Sequence, residues 1–344
     1  MRIVVTGGAG FIGSCVVRKA VAEGYTVLNI DSLTYAACLD NISSVSSLKN
    51  YFFEKIDICN YDKLNSSINT FQPDAIIHLA AESHVDRSIG SASKVLQTNI
   101  IGTFNLLDIF TKYWLNKSKP KSYRFIHIST DEVFGEALDN KLFTEKTKYD
   151  PKNPYSASKA SSDHLVRAWV NTHEIPAIIT NCSNNYGPYQ FPEKLIPMTI
   201  NAVRNLKTIP IYGNGLQIRD WIYVDDHVTG ILKVLTDGSI GQSYNIGSNN
   251  EVTNIDLVKM ICRRLDEKLN NENSCTSLIK FVKDRPGHDK RYAIDSTKIR
   301  RELKWSPKHD IELGLTKTID WYLSNQDWLD KLSEKAIVKN RFSS

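Results

Sequence analysis

Arg2-Ile3-Val4-Val5-Thr6-Gly7-Gly8-Ala9-Gly10-Phe11-Ile12-Gly13 decides how the rest of the chain is read. A short apolar run ends in glycines, and a helical pattern from Phe11 to Glu23 begins at once and stops at Gly24. Gly7, Gly10 and Gly13 give GxxGxxG spacing. Gly7 permits a tight turn, Gly10 lets a diphosphate approach the backbone, and Gly13 lets helix and strand pack closely. The helix N-terminus adds free N–H groups and a positive dipole end. Asp31 closes the next apolar run, Thr26 to Asp31, about 20 residues on, where a carboxylate can bind a ribose 2′-hydroxyl. Its charge repels a 2′-phosphate and no arginine follows it directly, which favours NAD over NADP.

Further apolar runs, Tyr51 to Ile56, Ala75 to Leu79, Arg124 to Ile128 and Ala177 to Thr180, alternate with helical patterns that include Val95 to Tyr113 and Tyr155 to His173. Continuous rather than alternating apolar strands predict a parallel sheet covered on both faces, hence an α/β, doubly wound Rossmann-type fold. After about residue 180 prolines and glycines cluster, with helices expected at Asp226 to Leu235 and Asn254 to Leu269 and a polar loop at Asn270 to Ser277. The chain thus divides into a dinucleotide-binding core over 1–180, a smaller C-terminal substrate-binding lobe mainly over 181–330 with a possible crossing between lobes, and a tail over 331–344.

Hydrophobic residues at 41% and charged residues at 24% match a water-soluble globular chain with a sizeable core. The net charge of +5 is scattered, with no basic run interleaved with aromatics, which argues against nucleic acid as a partner. No apolar stretch is long enough to span a bilayer, and the N-terminus turns glycine-rich too early for a signal peptide. Six dispersed cysteines form no CxxC, which argues against structural zinc, other metal sites and disulfides, and for free thiols in a reducing cytoplasm.

Tyr155-Ser156-Ala157-Ser158-Lys159 sets a phenol and an ammonium one helical turn apart on one face. A phenol is a poor base near neutral pH, and a neighbouring cation favours its ionised form. Just after the run Arg124 to Ile128 stands Thr130-Asp131-Glu132, at the carboxyl end of a strand, where sites in such sheets lie. A hydroxyl followed by two acids is more than alcohol oxidation requires: Thr130 can hydrogen-bond the reacting oxygen, and the two acids offer one general acid and one general base. Asp57, ending the third strand region, can bind an adenine amino group or simply cap a turn.

These stretches together resemble the extended short-chain dehydrogenases and, within them, the dTDP-glucose 4,6-dehydratases. The resemblance runs from Arg2 to about Tyr322 and rests on the glycine turn, His78-Leu79-Ala80-Ala81-Glu82-Ser83-His84-Val85-Asp86, Thr130-Asp131-Glu132-Val133, the Tyr155–Lys159 stretch, Asn184-Asn185-Tyr186-Gly187-Pro188, Glu193-Lys194-Leu195-Ile196-Pro197, Arg219-Asp220-Trp221 and Asp284-Arg285-Pro286-Gly287-His288-Asp289. The glycine turn and the Tyr–Lys pair are shared with epimerases and decarboxylases. The acid pair and the Arg285-Pro286-Gly287-His288-Asp289 run are far more specific.

The resemblance implies catalysis by Thr130, Asp131, Glu132, Tyr155 and Lys159. Tyr155 takes the C4 hydroxyl proton as C4 gives hydride to NAD, Glu132 takes the C5 proton, Asp131 protonates the departing C6 hydroxyl, and hydride returns to C6 with a proton added at C5. It implies that Phe11, Ile12, Asp31, Ser32, Leu33 and Thr34 hold NAD with the glycines, joined by Asp57, Ile58, Leu79, Ala80, Ala81 and Ser83, and by Thr98 and Asn185. Around the nucleotide sugar it sets Ser83, Thr130, Asn184, Lys194, Leu195 and Pro210, followed by Tyr212, Arg219, Asn254, Arg285, His288 and Asp289. Arg219 and Arg285 suit a diphosphate through forked bonds. Phe134 stands where the family often has tyrosine, and Cys38 lies in a loop, 33–41, that often carries glycine. The resemblance further implies a homodimer, for which the helices near 95–113 and 155–173 fit a four-helix seam.

Three other readings compete. A UDP-glucose 4,6-dehydratase differs only in the base pocket. A 4-epimerase uses Thr130, Tyr155 and Lys159 but has no task for both Asp131 and Glu132. A non-catalytic dinucleotide-sensing or RNA-associated protein on this fold has no need of the full catalytic set, which is present here.

Overall fold

The computed structural model describes residues 1–138 and 141–340, so the last four residues of the 331–344 tail lie outside it. Among the described residues thirteen strands run in chain order: β1 Arg2–Thr6, β2 Thr26–Asp31, β3 Tyr51–Lys55, β4 Ala75–His78, β5 Arg124–Thr130, β6 Ala177–Cys182, β7 Asn184–Tyr186, β8 Ile209–Tyr212, β9 Ile218–Tyr223, β10 Ser243–Ile246, β11 Glu251–Thr253, β12 Ile279–Val282 and β13 Arg291–Tyr292. Seven of them form one parallel sheet in the order β10-β6-β5-β4-β1-β2-β3.

The continuous apolar strands find their explanation in two cores. Ile3 and Val5 of β1 enter one buried cluster and Val4 enters another on the opposite face. On the first face lie the helices Phe11–Ala22, Val224–Asp237 and Thr297–Leu303, through Val16, Val228, Ile231 and Ile299. On the second lie Tyr61–Phe71, Gly102–Asn116 and Pro154–His173, through Leu64, Leu106, Phe110 and Val166. This is the doubly wound α/β architecture expected from the alternation of runs.

The strand order reverses between β1 and β4, and ligands in open α/β sheets bind beyond the carboxyl ends of strands at such a switch point. The smaller lobe builds on β9, flanked by β11, β13 and β7, and on the β8–β12 pair. Its own core gathers Tyr186, Ile200, Trp221, Leu257, Leu315 and Tyr322. After β9 the chain returns: the helix Val224–Asp237 covers the large sheet and β10 extends it beside β6. A four-residue strand, Ser-Tyr-Asn-Ile, carries too short a pattern to be read from sequence.

The helical stretch expected from Val95 to Tyr113 is interrupted. A helix Ala92–Leu96 passes through a π turn, Gln97–Ile101, into Gly102–Asn116. No helix among the described residues is long and apolar enough to cross a membrane, and none of their His, Cys, Asp and Glu side chains cluster in a metal-ligating group of three or more.

Candidate active site

The turn after β1 is shaped by backbone contact. Gly7 adopts φ +73°, and a Cβ there would lie 2.8 Å from the Ala80 backbone at the end of β4. A Cβ on Gly13 would collide with the Gly7 carbonyl, which is why helix and strand can meet only through glycine. Gly10 caps the helix Phe11–Ala22 with no side-chain hydrogen bond and no acid in the first turn, so the first N–H groups face the turn uncapped. Asp31 is buried at the end of β2. Its carboxylate accepts Ala9 N–H (3.0 Å) and Leu33 N–H (2.7 Å), one on each oxygen. Burial raises its pKa while these two donors oppose the rise. Each oxygen keeps a second lone pair for a ribose hydroxyl.

Asp57 and Ile58 follow β3, and Asp57 accepts Cys59 N–H at 2.8 Å, a local turn contact. Leu79 to Ser83 follow β4, with Leu79 and Ala80 donating to Thr6 (3.1 and 3.3 Å). Thr98 lies in the π turn. Residues from four separate strand ends thus line the carboxyl edge of the sheet around its switch point.

The catalytic candidates gather on the same edge. β5 ends at Thr130, whose hydroxyl caps the short 3-10 helix Asp131–Phe134 by accepting Glu132 N–H at 3.3 Å. Tyr155 and Lys159 lie in the first turns of Pro154–His173, which starts with a capping box between Asn153 and Ser156 and a proline in its first turn. Lys159 is buried. Its ammonium donates to the Ile128 carbonyl at 2.8 Å, and burial pushes its pKa down while Asp163 pulls it back.

The two acids sit in different surroundings. Asp131 is 1% exposed and Oδ2 has no hydrogen-bond partner. Burial, then repulsion from Glu132 and Asp220, pushes its pKa well above the ordinary carboxylate range. Glu132 is half-buried. Burial raises it too, but Arg219 and Lys194 oppose with positive charge and Asn153 with a hydrogen bond. Burial thus favours the neutral form of both carboxyls, most strongly at Asp131, while the cations beside Glu132 favour its ionised form, which sets an acid apart from a base. Burial, together with the charges of Glu132 and Asp131, keeps the Tyr155 phenol protonated in this state, while Thr130 favours its ionised form.

The second lobe supplies those cations. Arg219 of β9 lies in register with Tyr292 of β13, stacks 4.2 Å over its ring and donates to the Asp289 carbonyl at 2.9 Å. Lys194 caps the helix Leu195–Arg204. Arg285 lies 4.4 Å over the Tyr212 ring and pairs with Asp86 at 2.8 Å, joining β8 and the loop after β12 to the loop after β4. His288 is occupied by Asp284 (2.7 Å), and the Asp289 carboxylate accepts the Tyr292 hydroxyl (2.6 Å). The buried Asn185 side chain contacts His227 (2.8 Å) through its oxygen and donates to the Ser183 carbonyl (3.0 Å) just past the end of β6, while Asn184 beside it on β7 is half-buried. Pro210 pairs with Lys280 on β12, Ser83 is exposed, and Asn254 opens the helix Asn254–Leu269.

Several supporting residues escaped the sequence. Asn99, in the π turn, accepts Glu82 N–H (2.9 Å), donates to Glu82 O (3.0 Å) and reaches Ser158 Oγ (2.8 Å), tying the loop after β4 to the helix of Tyr155. Nothing marks it inside an apolar helical pattern. Asp163, fully buried, accepts the Ser129 and Tyr149 hydroxyls (2.8 Å each) and lies 3.1 Å from His127 Nε2. Burial raises its pKa, yet contacts with His127, Lys159 and Tyr149 outweigh this and hold it low. Burial and the Lys159 charge push His127 down to about 4, leaving a neutral imidazole. The spacing Tyr155, Lys159, Asp163 repeats every fourth residue, a signal that was present in the sequence. Phe134, one of the departures, is buried against Phe143 and Tyr149, and Cys38 is buried as well.

A profile of the GDP-mannose 4,6 dehydratase family matches residues 4–318. The chain belongs to that family. A dTDP-glucose 4,6-dehydratase of Shigella flexneri is 53% identical, over 96% of this chain and 95% of the relative. Among solved structures, a dTDP-glucose 4,6-dehydratase of Streptomyces venezuelae with NAD and dTDP bound superimposes with a TM-score of 0.89 at 41% identity, covering 96% of this chain and all of that one. A UDP-glucose 4-epimerase of Thermotoga maritima with UDP-glucose also superimposes, with a TM-score of 0.84 at 28% identity over 95% of this chain and 100% of its own. Dehydratase and epimerase share the fold, so the site must separate them.

Proposed function

We propose that the chain catalyses the 4,6-dehydration of dTDP-glucose, giving dTDP-4-keto-6-deoxyglucose and water, as an NAD-dependent hydro-lyase. The observation that carries this reading is the adjacent pair Asp131 and Glu132, one raised well above the ordinary carboxylate range and one raised against the opposing charges of Arg219 and Lys194, beside Tyr155 and Thr130. An epimerase needs no such pair. The uncapped glycine turn and Asp31 fit a dinucleotide, and the residues named above at the ends of β1 to β4 would hold it.

NAD, when bound, takes hydride from C4 and later gives it back at C6. Tyr155 removes the C4 hydroxyl proton, with Thr130 hydrogen-bonding the phenol and Lys159 one turn behind it. The 4-ketone acidifies the C5 proton, and Glu132, whose ionised form Arg219 and Lys194 favour, takes it. Asp131, whose neutral form burial favours, gives its proton to the departing C6 hydroxyl, so that water leaves, and a proton is added at C5 as hydride returns to C6. Arg219, Arg285 and Lys194 are suited to the diphosphate, with Tyr212 toward the base. Residues 1–180 would carry chiefly the cofactor, and 181–330 chiefly the nucleotide sugar.

The reading includes a homodimer. Leu96, Ile101 and Phe104 are about 40% exposed on neighbouring turns, and Phe104 meets Trp169 of the helix Pro154–His173 edge-on at 5.8 Å. Phe104→Lys should shift the mass in solution from dimer to monomer, and an unchanged monomeric mass in both would remove this part of the reading. Six free cysteines suit a cytoplasmic location.

The function is tested with purified protein, catalytic amounts of NAD, and dTDP-glucose or UDP-glucose in parallel. Loss of one water from dTDP-glucose without net NADH is expected. Unchanged mass, with galactose released on hydrolysis, would mean epimerisation instead.

A further inference from the structure

The helix Gln326–Asn340 carries none of the family motifs, yet it is bound to the cofactor turn by a short chain of contacts. Trp328 is buried in an aromatic cluster with Tyr189 (5.8 Å), Trp321 (5.2 Å) and Tyr322 (6.1 Å), while Leu329 and Leu332 enter the core of the second lobe. The Trp328 indole N–H donates to Asn41 Oδ1 at 3.0 Å, across 287 positions of sequence. The Asn41 side chain is 1% exposed, and its amide donates to the Ala9 carbonyl at 3.0 Å. Lys331 pairs with Asp40 at 2.5 Å, and Arg204 makes two bonds to Asp330 at 2.8 and 2.6 Å, which fix the helix on both sides.

Asn41 is therefore held at both ends, its oxygen by the second lobe and its nitrogen by the glycine turn. The Ala9 carbonyl shares a planar peptide with the Gly10 N–H, which donates to the Gly7 carbonyl at 3.2 Å, so holding the Ala9 carbonyl helps to hold the closure of the glycine turn. The same carbonyl accepts Cys38 N–H at 3.0 Å, and the Ala9 N–H goes to Asp31. The turn that opens the first helix is thus braced by Asp31, Cys38 and Asn41, and through Asn41 by the C-terminal helix.

We propose that Trp328 and Asn41 are positioning residues for the cofactor turn: the C-terminal helix holds the Ala9–Gly10 peptide through the Asn41 amide and so slows release of the bound dinucleotide. This rests on the NAD reading above. It assigns a reason for the enzyme to keep its cofactor through turnover to a segment at the far end of the chain.

Trp328→Phe keeps a ring in the cluster but removes the donor, and Asn41→Ala removes the bridge itself. Trp321→Phe is the matched control, since it disturbs the same cluster without a bond to the turn. Holoenzyme is diluted into NAD-free buffer, and bound dinucleotide is followed over time beside Tm and kcat at saturating NAD. A lost buried hydrogen bond should speed release about 3- to 10-fold in Trp328→Phe and Asn41→Ala, with kcat and the KM for nucleotide sugar unchanged. Trp321→Phe should release at the wild-type rate even where its Tm falls as far. Equal release from Trp321→Phe and Trp328→Phe at matched Tm, or wild-type release from Asn41→Ala, would overturn the proposal. A wild-type protein that binds no dinucleotide would overturn the NAD reading along with it.

Discussion

The turn from Gly7 to Gly13 and the strand end from Thr130 to Glu132 lie on the same edge of one sheet, yet they are built differently. The turn works through backbone: positive φ at Gly7, the absent Cβ of Gly13 and an uncapped helix start. Its glycine pattern is local, so a dozen consecutive residues carry it, although Ala80, Asp31 and Asn41 brace it from elsewhere in the chain. The strand end works through side chains whose protonation depends on Arg219, Lys194, Asp220 and Asn153, spread over the other lobe and the next helix. Geometry can be written in a short segment, whereas a pKa is written by everything that surrounds the group.

The largest effect that should sharpen this comparison comes from the side-chain region. Tyr155→Phe removes the base proposed to start the reaction and should lower kcat by roughly 10²–10⁴-fold, with no NADH formed from substrate and little change in Tm. Normal turnover would detach Tyr155 from the chemistry. In the backbone region Gly13→Ala should destabilise by about 1–3 kcal/mol, read as a lower Tm together with weaker NAD binding. An unchanged Tm would mean that the close approach at Gly7 is not required.

This contrast also explains what could be read from the sequence. The parallel sheet, the glycine turn and the positions of Thr130, Asp131, Glu132, Tyr155 and Lys159 were all legible, because each lies at a strand end or on a helical period. The return of the chain into β10 was not, since four residues carry no period. The order of the two acids came only from the family resemblance: the surroundings of the adjacent letters Asp131 and Glu132 differ through residues at 153, 194, 219 and 220, which no local pattern shows. Asn99 and the Asn41–Trp328 link join distant segments through single amides, for which sequence has no pattern.

The protonation of Asp131 can be tested through stability. A carboxyl with a raised folded-state pKa leaves the fold unpenalised at acid pH. The penalty grows as pH rises above the ordinary carboxylate value toward and through the raised one. Asp131→Asn removes that penalty. The Tm of the variant should therefore gain on wild type as pH rises from about 4 to 8, and a constant difference would mean that Asp131 ionises normally. A smaller effect is expected at Arg285, half-exposed and paired with Asp86. Arg285→Lys keeps the charge and loses the fork, so the KM for nucleotide sugar should rise several-fold at constant kcat; a fall in kcat instead would place Arg285 closer to the reacting carbons.

The division of labour between the two acids is the centre of the account, and Glu132→Gln tests it most directly. Mixed with dTDP-glucose in a single turnover, the variant should oxidise C4 and stop, so that absorbance of enzyme-bound NADH rises and persists while no water is lost from the sugar. Full turnover to the 4-keto-6-deoxy product at the wild-type rate, with no NADH accumulating, would contradict the assignment of Glu132 as the C5 base.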